Sequence, residues 1–101
     1  MPPPLERADP ERVTIHVPDH VVYRDFGEQT VALNLRTGRY HGLNATARAM
    51  LAALREAPSV AAAARSLAPE LDVAEDVLLE DLVGLCDGLE RRGLLETRAA
   101  N

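Results

Sequence analysis

Apolar and polar positions change their period once along the chain. From Val13 to Val17 they alternate, with Val13, Ile15 and Val17 on one side, and Pro18-Asp19 ends the run. His20–Phe26 alternates again, Val21 and Tyr23 against Val22 and Arg24. Thr30–Arg36 does the same with Val31, Leu33 and Leu35. Gly27-Glu28 and Thr37-Gly38 are turn signals between these runs, and Arg39–Gly42 is a short further strand. The pattern predicts an antiparallel meander of three strands, with Arg39–Gly42 as a possible fourth.

After Asn44 the spacing becomes Ala47, Met50, Leu51, Leu54, one face of a helix. Asn44 is a good N-cap and Pro58 a stop, which predicts a helix over Ala45–Glu56. Ser59 caps a short Ala-rich second helix closed off by Pro69. Asp72 with Glu75 resembles a capping box that opens a third helix over Val73–Arg92. Gly93 fits the left-handed residue just beyond it, and Leu94-Leu95 folds back as a lock or short strand. The fold class predicted is α+β, winged-helix-like: an N-terminal three-stranded antiparallel sheet, then a three-helix bundle.

Leu78, Leu82, Leu85 and Leu89 form the core stripe of the third helix. A second apolar row, Leu79, Val83 and Cys86, runs beside it. Two readings of that row are open: an exposed strip waiting for a partner, or a wide helix face sunk deeper into the bundle. Gly84 and Gly88 on another flank each cost about 1 kcal/mol relative to alanine, which suggests a close backbone approach.

The 101 residues make one domain, with residues 1–11, rich in proline, as a disordered lead-in, 12–96 as the ordered unit and 97–101 as a flexible tail. With 47% hydrophobic but only 3% aromatic residues, the core has to be aliphatic. Sixteen acidic against eleven basic residues give a net charge of −5, which argues against nucleic-acid binding. No apolar run approaches the roughly 20 residues that span a bilayer. A single cysteine excludes an internal disulfide, and nothing resembles a secretory signal, so a reducing cytoplasm is the expected compartment.

Catalytic chemistry is missing from the pattern. His16 and His20 lie roughly 13 Å apart along an extended strand, and no cysteine or carboxylate pair converges on them, so no metal site is expected. Cys86 has Asp87 beside it rather than a base. Neither Ser59 nor Ser66 sits in a nucleophile elbow, and the glycines are scattered singly, without a phosphate loop or dinucleotide fingerprint. No enzyme and no cofactor are expected.

The run VALNLRTGRYHGLNATARAML, Val31 to Leu51, resembles the central signature of the PqqD-like family, the peptide-recognition elements of ribosomal-peptide modification pathways. DVLLEDLVGLCDGLERRGLLE is similar to that family's last helix. The likeness spans roughly Val13–Glu96, and a stand-alone chain of this length looks most like the leader-binding proteins of bacterial lasso-peptide biosynthesis. The resemblance implies that a precursor's leader, typically presenting a Tyr and a Pro, adds as a strand between the sheet edge and the last helix. A leader peptidase and an ATP-dependent macrocyclase would then act on the held precursor. Carried onto this chain, the edge is Thr30–Arg36 (Thr30, Val31, Ala32, Leu33, Asn34, Leu35) or, alternatively, Arg39–Gly42. The floor is Leu79, Val83 and Cys86, with Asp76, Glu80 and Asp87 on the rim. The competing readings are a winged-helix DNA-binding regulator, for which the third helix is too acidic until its last turn, and a scaffold subunit that binds a folded partner.

Overall fold

The computed structural model describes residues 9–99. The elements are β1 (Val13–His16), β2 (Val21–Phe26), β3 (Gln29–Asn34), β4 (Tyr40–Leu43), α1 (Ala45–Glu56), α2 (Val60–Leu71), α3 (Glu75–Arg91) and β5 (Glu96–Ala99). The class is α+β, but the sheet is not the expected N-terminal meander. β2, β3 and β4 form a three-stranded antiparallel sheet in that order, while β1 pairs antiparallel with β5 at the other end of the chain. His16 lies opposite Glu96 and Val13 opposite Ala99. Thr97–Ala99, expected to be a flexible tail, therefore forms part of a strand. Glu90 holds it by accepting hydrogen bonds from the Thr97 amide (2.8 Å) and hydroxyl (2.9 Å).

Both hairpins turn where glycine permits it. Gly27 has φ 62° at the first position of a two-residue loop, as a type II′ connection requires, and Phe26 faces Gln29 across it. Gly38, at φ 75°, closes the longer β3–β4 loop with its amide on the Asn34 carbonyl (2.8 Å), while the Asn34 side chain accepts from the Arg36 and Thr37 amides. Arg48 of α1 clamps the β2–β3 hairpin, donating to Asp25 (3.1 Å) and to the Gly27 carbonyl; Asp25 also accepts from the Thr30 hydroxyl (2.6 Å).

The bounds of α1 agree with the sequence reading, and the Asn44 side chain accepts from the Ala47 amide. The next two helices depart from it. Pro69 lies inside the last turn of α2 rather than ending it. Asp72 does not cap α3. It adopts φ 54° and closes α2, with the Val73 amide reaching back to the Ala68 carbonyl, a Schellman-type stop that asparagine, aspartate and glycine tolerate. α3 begins two residues later, from Ala74, without a side-chain cap. Its C-terminus is a Schellman motif around Gly93 (φ 71°), with Leu94 bonded to Leu89 and Gly93 to Glu90.

Residues 1–8 of the expected disordered lead-in lie outside the described residues. Residues 9–11 are docked on α2. The Pro10 carbonyl accepts from the Ala61 amide (3.0 Å) and Glu11 pairs with Arg65. A helix start leaves several amides without helical partners. Ser59 takes one of them, on Ala62, and Pro10 another, so the lead-in's last residues gain a fixed place.

The core is aliphatic. Small residues of α2 (Ala63, Ala64, Ala68) let it approach Leu51 and Leu54 of α1 and Leu78, Leu82 and Leu89 of α3. Cys86 belongs to this core, fully buried, whereas Leu85 of the expected stripe is only half-buried. Val13, Leu94 and Leu95 join the same cluster from the β1–β5 side, so the core extends around α3 further than a leucine-only stripe implies.

Candidate functional site: an open strand edge beside a basic concavity

β3 is the middle strand of its sheet, and its backbone bonds are divided between two neighbours. The expectation that Thr30–Arg36 forms the receptive edge is therefore wrong. Thr30, Ala32 and Asn34 point into the protein and are buried, Val31 and Leu33 are half-exposed on the outer face, and Leu35 lies beyond the strand's end. The alternative, the segment around Arg39–Gly42, is an edge: β4 has a partner on one side only among the described residues.

Which β4 groups are free follows from the antiparallel ladder. Residues directly opposite alternate between exchanging both backbone bonds and exchanging none. The register sets Tyr40 against Leu33, His41 against Ala32, Gly42 against Val31 and Leu43 against Thr30. The Asn34 amide donates to the Arg39 carbonyl (2.9 Å), so the bonded positions are 39, 41 and 43. Tyr40 and Gly42 are the alternate positions, and their amides and carbonyls point away from β3. A Cβ built on Gly42 would meet nothing within 4 Å.

Alongside lies a concavity of about 750 Å³ lined by Asn34, Thr37, Arg39, Tyr40, His41, Arg91, Arg92 and Leu94. It separates the start of β4 from the end of α3. Three contacts hold its walls. The Schellman motif fixes the exit of α3; the Tyr23 hydroxyl donates to the Leu94 carbonyl (2.6 Å); and Asn34 holds the β3–β4 loop. Burial pushes the Tyr23 phenol up to about 12, with Arg55 acting against the shift and Cys86 adding to it, so the hydroxyl stays protonated as a donor.

Arg39, Arg91 and Arg92 give the concavity a positive lining with no carboxylate in it among the described residues. Arg91 pairs with Asp87, one turn back on α3, and Arg92 donates to the Gly88 carbonyl (3.1 Å). Among the described residues Arg39 has no carboxylate partner within 4 Å.

The predicted α3 residues divide. Cys86 is 0% exposed and cannot touch a guest. Desolvation, followed by the charge of Glu90, raises its thiol to about 12. Leu79 and Val83 are half-buried against the core with one side open, Asp76 and Glu80 are exposed, and Asp87 is half-buried. None of them lines the concavity. Leu79, Val83, Asp87 and Arg91 are nevertheless four residues apart in succession, one continuous ridge of α3 whose last member does line it. The close approach expected at Gly84 and Gly88 is absent. A Cβ at Gly84 meets nothing within 4 Å, and at Gly88 only Arg92's flexible side chain, at 3.5 Å.

Sequence reasoning placed none of Arg91, Arg92, Leu94, Thr37 and the side chain of Arg39 in a site. The available signal was that these arginines stand out in a chain otherwise dominated by acids. No three His, Cys, Asp or Glu side chains are grouped to hold a metal ion, and no helix is long and apolar enough to cross a membrane, among the described residues.

A small α+β domain with an open-edged antiparallel sheet beside its last helix is the class of protein defined here. The chain belongs to the PqqD family: the profile of coenzyme PQQ synthesis protein D (PqqD) matches residues 29–95, well over half of it. Among solved structures it is similar to TbiB1 in complex with the TbiA(beta) leader peptide, with 27% identity and a TM-score of 0.73, covering 84% of this chain and 98% of that one. The fold is also that of lasso peptide synthetase B1 complexed with the leader peptide, at 24% identity and a TM-score of 0.74, covering 81% and 96% of the two chains. Among curated proteins there is no match.

Proposed function

We propose that this chain binds the leader segment of a ribosomally made precursor, a lasso-peptide precursor, by accepting it as an extra strand on β4. The observation that carries the reading is the unpaired backbone at Tyr40 and Gly42, beside a concavity that α3 closes on the far side. Strand addition draws affinity from main-chain bonds and selectivity from side chains entering neighbouring pockets. The likeness to TbiB1, which is known with a leader peptide in place, supports the same use here.

The guest's path continues from the concavity along the Leu79–Val83–Asp87–Arg91 ridge, where Leu79 and Val83 offer apolar contact and Asp76 and Glu80 border it. Cys86 takes no part, and β3 acts only as the support of β4. The chain acts as a non-catalytic adaptor, presenting the bound precursor to a leader peptidase and an ATP-dependent macrocyclase in a bacterial cytoplasm. Holding the leader rigidly raises the effective concentration of the precursor at enzymes that dock on the same adaptor.

Titrating a synthetic leader from the chain's own pathway, with amide chemical shifts as readout, tests this. The expected result is the largest shifts at Tyr40, Gly42 and the end of α3. Shifts confined to Tyr23 and Asp25 on the opposite sheet edge, or to residues 9–12, would overturn it.

A further inference from the structure

We infer that the guest peptide carries an aspartate or glutamate in the stretch lying over the end of α3, and that Arg39, with Arg92, reads that carboxylate. This rests on the strand-addition reading and specifies the chemistry of what is read. The chain carries −5 overall, yet among the described residues the concavity next to the open edge is lined by three arginines and no acid. Of the three, Arg91 is neutralised by Asp87. Arg92 spends one of its guanidinium nitrogens on the Gly88 carbonyl and keeps the rest of its fork. Arg39 pairs with no carboxylate within 4 Å among the described residues, and it immediately precedes Tyr40, whose backbone is the first free rung of the ladder.

A guest strand bonded to Tyr40 must therefore pass within reach of a planar, permanently charged donor suited to two-point carboxylate binding. The negative end of the α3 dipole opposes an anion here. The two full charges of Arg39 and Arg92, neither paired with an acid, outweigh a helix-end partial charge of about half a unit. The sign is opposite to what the exposed Asp76 and Glu80 on the first half of α3 suggest. The guest thus meets positive charge beside Tyr40 and negative charge further along the helix, a polarity that fixes its register as well as its affinity.

The experiment is a selection of random dodecamers displayed on phage against the full chain, with the Gly42→Pro variant as counter-selection to retain only binders that need the β4 edge. Expected is enrichment of Asp or Glu at one end of the selected consensus. A synthetic consensus peptide should lose about tenfold affinity when that acid becomes its amide, and about tenfold on Arg39→Glu, with Lys at the acid's place recovering binding to that variant. Arg92→Gln should weaken the acidic peptide and leave its amide analogue unchanged. Edge-dependent binders without acid enrichment, or acidic peptides indifferent to both arginine variants, would overturn the inference and leave strand addition standing. Finding no edge-dependent binders at all would overturn both.

Discussion

Gly42 offers a way to block the proposed groove without touching the fold. Its amide points away from β3, a Cβ there meets nothing within 4 Å, and its φ is not in the left-handed region. Proline is tolerated on edge strands at such outward-facing positions. The preceding His41 is already extended within β4, as a residue before proline has to be. Gly42→Pro should therefore leave folding stability within about 1 kcal/mol, because lost freedom in the unfolded chain offsets small strain in the strand. For a guest strand the consequences are larger. One ladder bond disappears, worth about 1 kcal/mol net, and the ring keeps the guest backbone from closing the adjacent one. Together these amount to about 1.5–3 kcal/mol, a ten- to roughly 150-fold rise in Kd at 25 °C. Fluorescence anisotropy with a labelled leader measures the binding, and urea unfolding measures the fold. Gly42→Ala, which keeps the amide, should bind as the parent does. His41→Pro should unfold the hairpin instead, since its amide is committed to β3. A folded Gly42→Pro chain binding within about twofold of the parent would refute strand addition at β4.

Val83→Asp should weaken leader binding about tenfold or more while the domain stays folded, read by anisotropy and circular dichroism; global unfolding would show that the α3 ridge is core. Tyr23→Phe should cost about 1–2 kcal/mol in urea unfolding, because it leaves the Leu94 carbonyl without its donor. The raised values of Tyr23 and Cys86, both about 12, mean that the unfolded chain releases protons first as pH rises. Stability should be undiminished by these groups below about pH 9 and fall between about 9 and 12, measured as the urea midpoint across that range. Glu11, held below its ordinary value by Arg65, works in the other direction. Its contact with α2 is complete above pH 4.5 and lost as pH falls below it, which amide exchange at Ala61 should register as faster opening in acid.

Local structure was legible in the chain wherever a residue's own neighbours set it. The bounds of α1 follow from Asn44 and the Leu51–Leu54 face, the hairpins from alternation with Gly27 and Gly38, and the end of α3 from Gly93. Misreadings arose where two local signals competed. Asp72 is both a cap former and one of the few residues that tolerate φ above zero, and the need to close α2 won. Pro69 reads as a stop, yet within the final turn it forfeits only one helical bond.

What tertiary structure alone decided is which edges stay open. Alternation tells which side chains share a face of a strand but is silent on which strand lies beside it, since every strand carries the same unsatisfied amides and carbonyls. β1 found its partner 80 to 86 residues away in β5. β3 is the middle strand because β4 pairs with it on the side away from β2, and with β5 committed to β1 the outer edge of β4 stays open among the described residues. The concavity has a tertiary origin too: Arg39 and Arg92 are 53 positions apart, and only the fold, which brings the end of α3 opposite the start of β4, turns two scattered cations into one site. The family and the helices could thus be read from the order of residues, whereas the rungs at Tyr40 and Gly42 stay open because, among the described residues, β1 and β5 pair with each other and neither covers β4.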